Sequence, residues 1–228
     1  MATYLNKIHK VLAPLIGEDA KVALFDFPNH SNVGDSAIWI GEEYYLKSKL
    51  NVRIGAVDVA TTSNYALPKL STSTIILLHG GGNFGDLYPR HQRFREFIIS
   101  NYKENRIIQL PQSIYFESCE EMKQCSEIIA SHPDFHLLVR DQKSFELGAM
   151  LHSGTTKLCP DMALSLGHLK PTKVPKHPIF GLLRTDKESI LSSKANSNDV
   201  LFLPQSDWLK ESASTFSIAL LPDLLCPA

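Results

Sequence analysis

The chain has 228 residues, 43% of them hydrophobic and 21% charged, with a formal net charge of -1. This is the composition of a globular protein, which excludes a disordered chain or a coiled coil, and without a basic excess or basic stripe it also excludes a nucleic-acid binder. Any anion site must therefore be local.

Residues 1–20 place Leu5, Ile8, Val11, Leu12 and Leu15 on one face of a helix and lack the continuous apolar core of a signal peptide. Packing of this helix on the domain is expected, with contact at the inner face of a membrane as its alternative use. No apolar run is long enough to span a bilayer. Strands are predicted at 21–27, 52–57, 74–79, 106–110, 135–139 and 157–159. Helices are predicted at 36–50, 90–102, 120–130 and 142–151, and loops at 29–35 and 80–86. The strands read as near-continuous apolar runs, the pattern of strands buried on both faces. Their alternation with helices predicts an α/β fold with a doubly wound, Rossmann-like parallel sheet over residues 1–170. Ligands of such sheets bind beyond the carboxyl ends of the strands. Residues 171–178, with Pro171, Pro175 and Pro178, read as a linker. Residues 179–228 then open a second domain with a strand at 179–183.

Four cysteines, Cys119, Cys125, Cys159 and Cys226, form no C-x-x-C pair, so neither a zinc site nor a disulfide framework is indicated, and free thiols fit a reducing cytoplasm. The chemistry-bearing residues lie on the loops after strands. In Asn29–Asp35 the polar residues can turn the chain, and Asp35 is a good helix N-cap. A helix start also attracts anions. In His79–Asp86, Gly80, Gly82 and Gly85 satisfy G-x-G-x-x-G, but no acid follows at the end of the next strand, which argues against a dinucleotide. His-Gly-Gly-Gly also occurs in esterase oxyanion loops, yet the chain has no G-x-S-x-G elbow. Consecutive glycines suit close backbone approach to a phosphate or carboxylate. Arg140 can clamp such an anion with two parallel hydrogen bonds, or pair with Asp141 or another acid. Asp161 is expected to cap the turn that follows it. Arg184 is a further anion candidate. His30 and His79 stand where acids or bases would be useful. Acids are spread one per loop, so no metal site is indicated.

Six motifs occur in a fixed order: N-x-G-D at Asn32–Asp35, L-x-H-G-G-G-N-F-G-D-L-Y at Leu77–Tyr88, Q-L-P-Q-S at Gln109–Ser113, V-R-D-x-x-S at Val139–Ser144, C-P-D-M-A at Cys159–Ala163 and G-L-L-R-T-D at Gly181–Asp186. In this set the chain resembles the polysaccharide pyruvyl transferases. The resemblance implies the N-terminal half of a GT-B-like twin-domain architecture. It implies a cytoplasmic enzyme that takes phosphoenolpyruvate as donor substrate, needs no cofactor, and forms a pyruvate ketal on a glycan or lipid-linked sugar. On that reading Asp35 and Asp86 orient or deprotonate the sugar hydroxyls. Ser31, Asn32, Gly34, Gly80, Gly81, Gly82, Asn83, Gln112, Arg140 and Arg184 bind the substrates. The alternatives are a GT-B-like sugar-nucleotide glycosyltransferase and a non-catalytic sugar- or anion-binding fragment. The chain departs from the family at its end: family members continue through a full second domain, whereas here that domain stops soon after Trp208, so an incomplete second domain is expected.

Overall fold

A computed structural model of the chain describes residues 2–30, 32–58, 68–152 and 154–168, together with Val174 and the strand pairs at 181–182 and 205–206. The chain divides into two compact units, Met1–Asn29 with Gly34–His168, and His30–Val33 with Leu169–Ala228.

The first unit runs α1 (Ala2–Ile16), β1 (Lys21–Phe25), α2 (Val33–Lys49), β2 (Arg53–Asp58), β3 (Ile75–Leu78), β4 (Gly81–Gly85), α3 (Pro89–Asn101), β5 (Ile107–Tyr115), α4 (Cys119–Ala130), β6 (Phe135–Val139), α5 (Gln142–Leu151), β7 (Lys157–Leu158) and a 3-10 helix (Met162–Leu166). The strands pair in the order β2-β1-β3-β5-β6-β7, all parallel, and β4 pairs with β5 beyond the end of β3. Successive strand residues serve opposite faces. Val22, Leu24, Leu77 and Ile108 pack with Ile8 and Leu12 of α1 and with Trp39, Tyr45 and Leu46 of α2. Ala23, Phe25, Ile76 and Leu137 pack with Phe94 and Ile98 of α3, Ile129 of α4 and Leu151 of α5. The sheet is thus covered on both sides, which is what makes its strands apolar throughout. In the second unit β8 (Gly181–Leu182) pairs in parallel with β9 (Gln205–Ser206).

Three local expectations change. Helix α2 begins at Val33 rather than at 36, so Asp35 lies in its first turn and is not its N-cap. An acid there still faces the positive end of the helix dipole. The glycine run forms strand β4 rather than a loop. Its last residue, Gly85, has φ +115, and a Cβ there would collide with the Tyr115 carbonyl, so glycine lets the two strands approach. Strand β5 runs through Pro111 to Tyr115, with an irregularity between Gln109 and Gln112 in its pairing with β6. That is how a proline is tolerated inside a sheet.

Candidate active site

Strand order reverses between β1 and β3, whose neighbours lie on opposite sides. The crevice at their carboxyl ends is the topological switch point where open α/β sheets hold ligands. Asp26 leaves β1 there in a left-handed conformation, φ 70, and is buried. His91 of α3 donates through Nδ1 to both of its oxygens, at 2.9 and 3.0 Å. His79 and Gly80 leave β3. A Cβ on Gly81 would lie 3.2 Å from Asp35 Oδ1, and one on Gly82 would lie 3.2 Å from Arg140 Nη2. Two adjacent glycines therefore have a carboxylate on one side and a guanidinium on the other.

Arg140 is only partly committed to its neighbours. Nε donates to Ser113 Oγ at 2.9 Å, and Nη1 donates to Asp161 Oδ2 at 2.6 Å. Asp161 also accepts from the Ala163 N–H at 2.8 Å and so caps the 3-10 helix. Ser113 donates in turn to Asp141, which caps α5 by accepting from the Ser144 N–H at 2.8 Å. Burial raises the Asp141 pKa, but hydrogen bonds from Ser113 and Ser144 outweigh it and hold the carboxyl below its usual range. A cavity of about 510 Å³ opens beside the Arg140–Asp161 pair and is lined also by Tyr4, Lys7, Lys10 and Val11 of α1.

The glycine segment itself faces inward more than its sequence suggests. The N–H groups of Gly80, Asn83 and Gly85 donate to Glu42, Gln112 and Gln92 at 2.8, 3.2 and 3.0 Å. Gln112 is fully buried, and its amide also donates to the His79 carbonyl and to Asn83 Oδ1, at 3.0 and 2.9 Å. In this conformation Gln112 holds the segment from beneath. Asp86 Oδ2 accepts from the N–H groups of Glu117 and Ser118, at 2.7 Å each, tying β4 to the start of α4. Gly34 is exposed in the first turn of α2. Asn32 belongs to the second unit, where its N–H donates to His30 Nδ1 at 3.3 Å. Ser31 and Arg184 lie outside the described residues.

Two site residues escape sequence reasoning. Glu42 of α2, 0% exposed, accepts from His79 Nδ1–H and from the Gly80 N–H at 2.8 Å each. Arg95 of α3, also buried, donates to Gln109, Gln92 and Asn83 at 2.6, 2.7 and 2.9 Å and stacks on Phe84 at 4.4 Å. Burial draws its pKa down. The available signal was a charged residue at a core position: Glu42 sits among Ile38, Trp39, Tyr45 and Leu46, and Arg95 among Phe94, Ile98 and Ile99.

The chain matches the model of the family described as polysaccharide pyruvyl transferase over residues 32–223. It is 35% identical over 180 residues to "Putative pyruvyl transferase EpsO" of Bacillus subtilis, covering 78% of this chain and 55% of that protein. It is 32% identical over 181 residues to "Pyruvyl transferase 1" of Schizosaccharomyces pombe, covering 74% and 45%. With "General stress protein 30" of B. subtilis it shares 30% over 199 residues, covering 81% and 58%. The chain thus spans about half the length of the relatives it matches. With the family match extending over most of its residues, the chain belongs to the polysaccharide pyruvyl transferase family.

Proposed function

We propose that this protein transfers a pyruvyl group from phosphoenolpyruvate to two hydroxyls of a sugar in a cell-surface or exported polysaccharide, working on the cytoplasmic side as part of a GT-B-like twin-domain enzyme. Family membership supports the reaction class. The observation that carries the site is that Asp35 and Arg140 each approach the glycine segment that follows β3, Asp35 at Gly81 and Arg140 at Gly82.

The chemistry asks for such a pair. A proton added to the donor's methylene makes C2 electrophilic, and one sugar hydroxyl adds to C2 as it gives up its proton. A second hydroxyl then displaces inorganic phosphate and closes the ketal. Arg140 is suited to hold the donor's phosphate or carboxylate, since guanidinium binds such groups in a forked geometry. Asp35 is suited to take the hydroxyl proton. Gly82, without a side chain, leaves room for the Arg140 guanidinium to come close to the backbone.

The test is incubation of the complete twin-domain enzyme with phosphoenolpyruvate and pyruvate-free glycans, following phosphate release and the mass of the glycan together. The expected result is coupled release and mass gain, reduced by about a hundredfold or more in Asp35→Asn, the scale of a lost general base. Turnover of a nucleotide sugar in place of phosphoenolpyruvate would transfer the site to glycosyl transfer.

A further inference from the structure

We infer that Glu42 and His79 form a buried positioning pair, in which a doubly protonated His79 cancels the Glu42 charge behind the glycine segment and so keeps that edge receptive to an anion. The inference rests on the reading of the Arg140 edge as an anion site, and it adds a regulatory residue pair that touches no substrate.

The geometry fixes the pair tightly. His79 is 1% exposed and Glu42 0%. A carboxylate can only accept, so His79 Nδ1 carries the proton in its 2.8 Å bond to Glu42 Oε2. The other oxygen, Oε1, accepts the Gly80 N–H. The His79 carbonyl accepts from Gln109 at 2.9 Å and from Gln112 at 3.0 Å, and the His79 N–H donates to the Phe25 carbonyl at 3.0 Å. The peptide that begins the glycine segment thus cannot move without breaking a bond to Glu42. His79 Nε2 is buried with no hydrogen-bond partner among the described residues. It is therefore the position at which the ring gains or loses a proton.

The charged groups around His79 favour the proton. Burial alone would drive the ring neutral, but the charge and hydrogen bond of Glu42 outweigh it, and Asp26 after β1 and Asp35 of α2 add to them, so the pKa stands above its ordinary value. From α3, His91 binds Asp26 and Arg95 binds Gln109, whereas β5 contributes only the neutral amides. When His79 loses its proton, Glu42 is left as an uncompensated buried anion bonded to Gly80. Two residues further on, Gly82 lies against Arg140. A unit charge buried behind this segment and shielded from salt should change anion affinity at its edge on the order of tenfold.

The experiment has two parts. Nitrogen-15 NMR of the His79 ring, assigned with His79→Gln, is followed across neutral and alkaline pH in the wild type and in Glu42→Gln. Both ring nitrogens should carry protons at neutral pH in the wild type. In Glu42→Gln the amide can still accept the Gly80 N–H but cannot serve both groups as an acceptor, so the ring should titrate lower. A neutral ring in the wild type at pH 7 overturns the inference even if the variant fails to fold. In the second part sulfate, whose charge is constant over this range, and phosphoenolpyruvate are titrated separately by calorimetry. Sulfate affinity should fall about tenfold as pH rises through the measured His79 pKa, and should be flat in Glu42→Gln. A flat wild-type profile, or no anion binding at all, overturns the inference. Sulfate binding with the expected profile but no phosphoenolpyruvate binding would leave the pair standing and sink the donor assignment.

Discussion

Arg140 donates to Ser113 and Asp161 at once with Nη2 still directed toward Gly82, and a lysine has no planar fork with which to do the same. Arg140→Lys should therefore weaken phosphoenolpyruvate binding by about tenfold to a hundredfold, the range set by one or two lost charge-assisted bonds. Calorimetric titration checks this, and unchanged affinity would make Arg140 a structural partner of Asp161 only. The sequence put this residue at a strand end and left both roles open; the structure has it in the structural pair with Nη2 against Gly82. Asp35 is legible as a helix-start acid, and the turn-forming residues before it place it at the cap. The helix instead begins before it. Glu42 was not legible from motifs. Its burial depends on a partner, His79, 37 residues away in the chain, and no local pattern carries that pairing.

Strand β4 and the turn after it show what an element made of glycines requires. With little side chain to bury, it is held by polar groups brought from β5, α2 and α3. Asp86 anchors its far end through two backbone N–H groups. Removing that carboxylate in Asp86→Ala should destabilise the fold by about 1–3 kcal/mol, the penalty for leaving such donors unpaired. Asp86→Asn keeps an acceptor oxygen and should stay near wild-type stability by urea denaturation. If Asp86→Asn keeps its stability but loses turnover, Asp86 belongs to the catalytic groups instead. Glycine runs carry no apolar period, so β4 could not be read as a strand. Where burial follows a simple apolar run, as in β6 and α5, the expected spans 135–139 and 142–151 match the structure. Ser118 as N-cap of α4, accepting from the Glu121 N–H at 3.2 Å, starts that helix one residue before the expected 120.

For the whole molecule, the doubly wound sheet was readable because strands buried on both faces must be apolar and each is followed by a helix. The order of the strands, and hence the switch point, depends on contacts distant in sequence. The titrating groups of the first unit set a stability profile with two limbs. Burial lowers the pKa of His132 and of His136, outweighing their acceptor partners. Both are neutral in the fold, so their contribution is present above the unfolded value of about 6.5 and is lost as pH falls below it. Partial burial raises Asp134 and Asp141, but their hydrogen bonds and charge partners dominate and lower them. Their contribution is present above about 3.9 and is lost as pH falls through their folded values. His79 is raised, so its contribution is present below about 6.5 and is lost as pH rises through its folded value. Urea midpoints measured across pH should therefore fall on both sides of an optimum, with the alkaline limb absent in Glu42→Gln.

Donor binding at the edge formed by Asp35, Gly81, Gly82 and Arg140 can be read residue by residue from backbone and arginine side-chain NMR of the labelled protein during phosphoenolpyruvate titration. Saturable shifts should concentrate at Gly81, Gly82, the first turn of α2 and the Arg140 guanidinium, and the backbone shifts should need about tenfold to a hundredfold more ligand in Arg140→Lys. Saturable shifts centred elsewhere in the chain, with this edge unmoved, would contradict it.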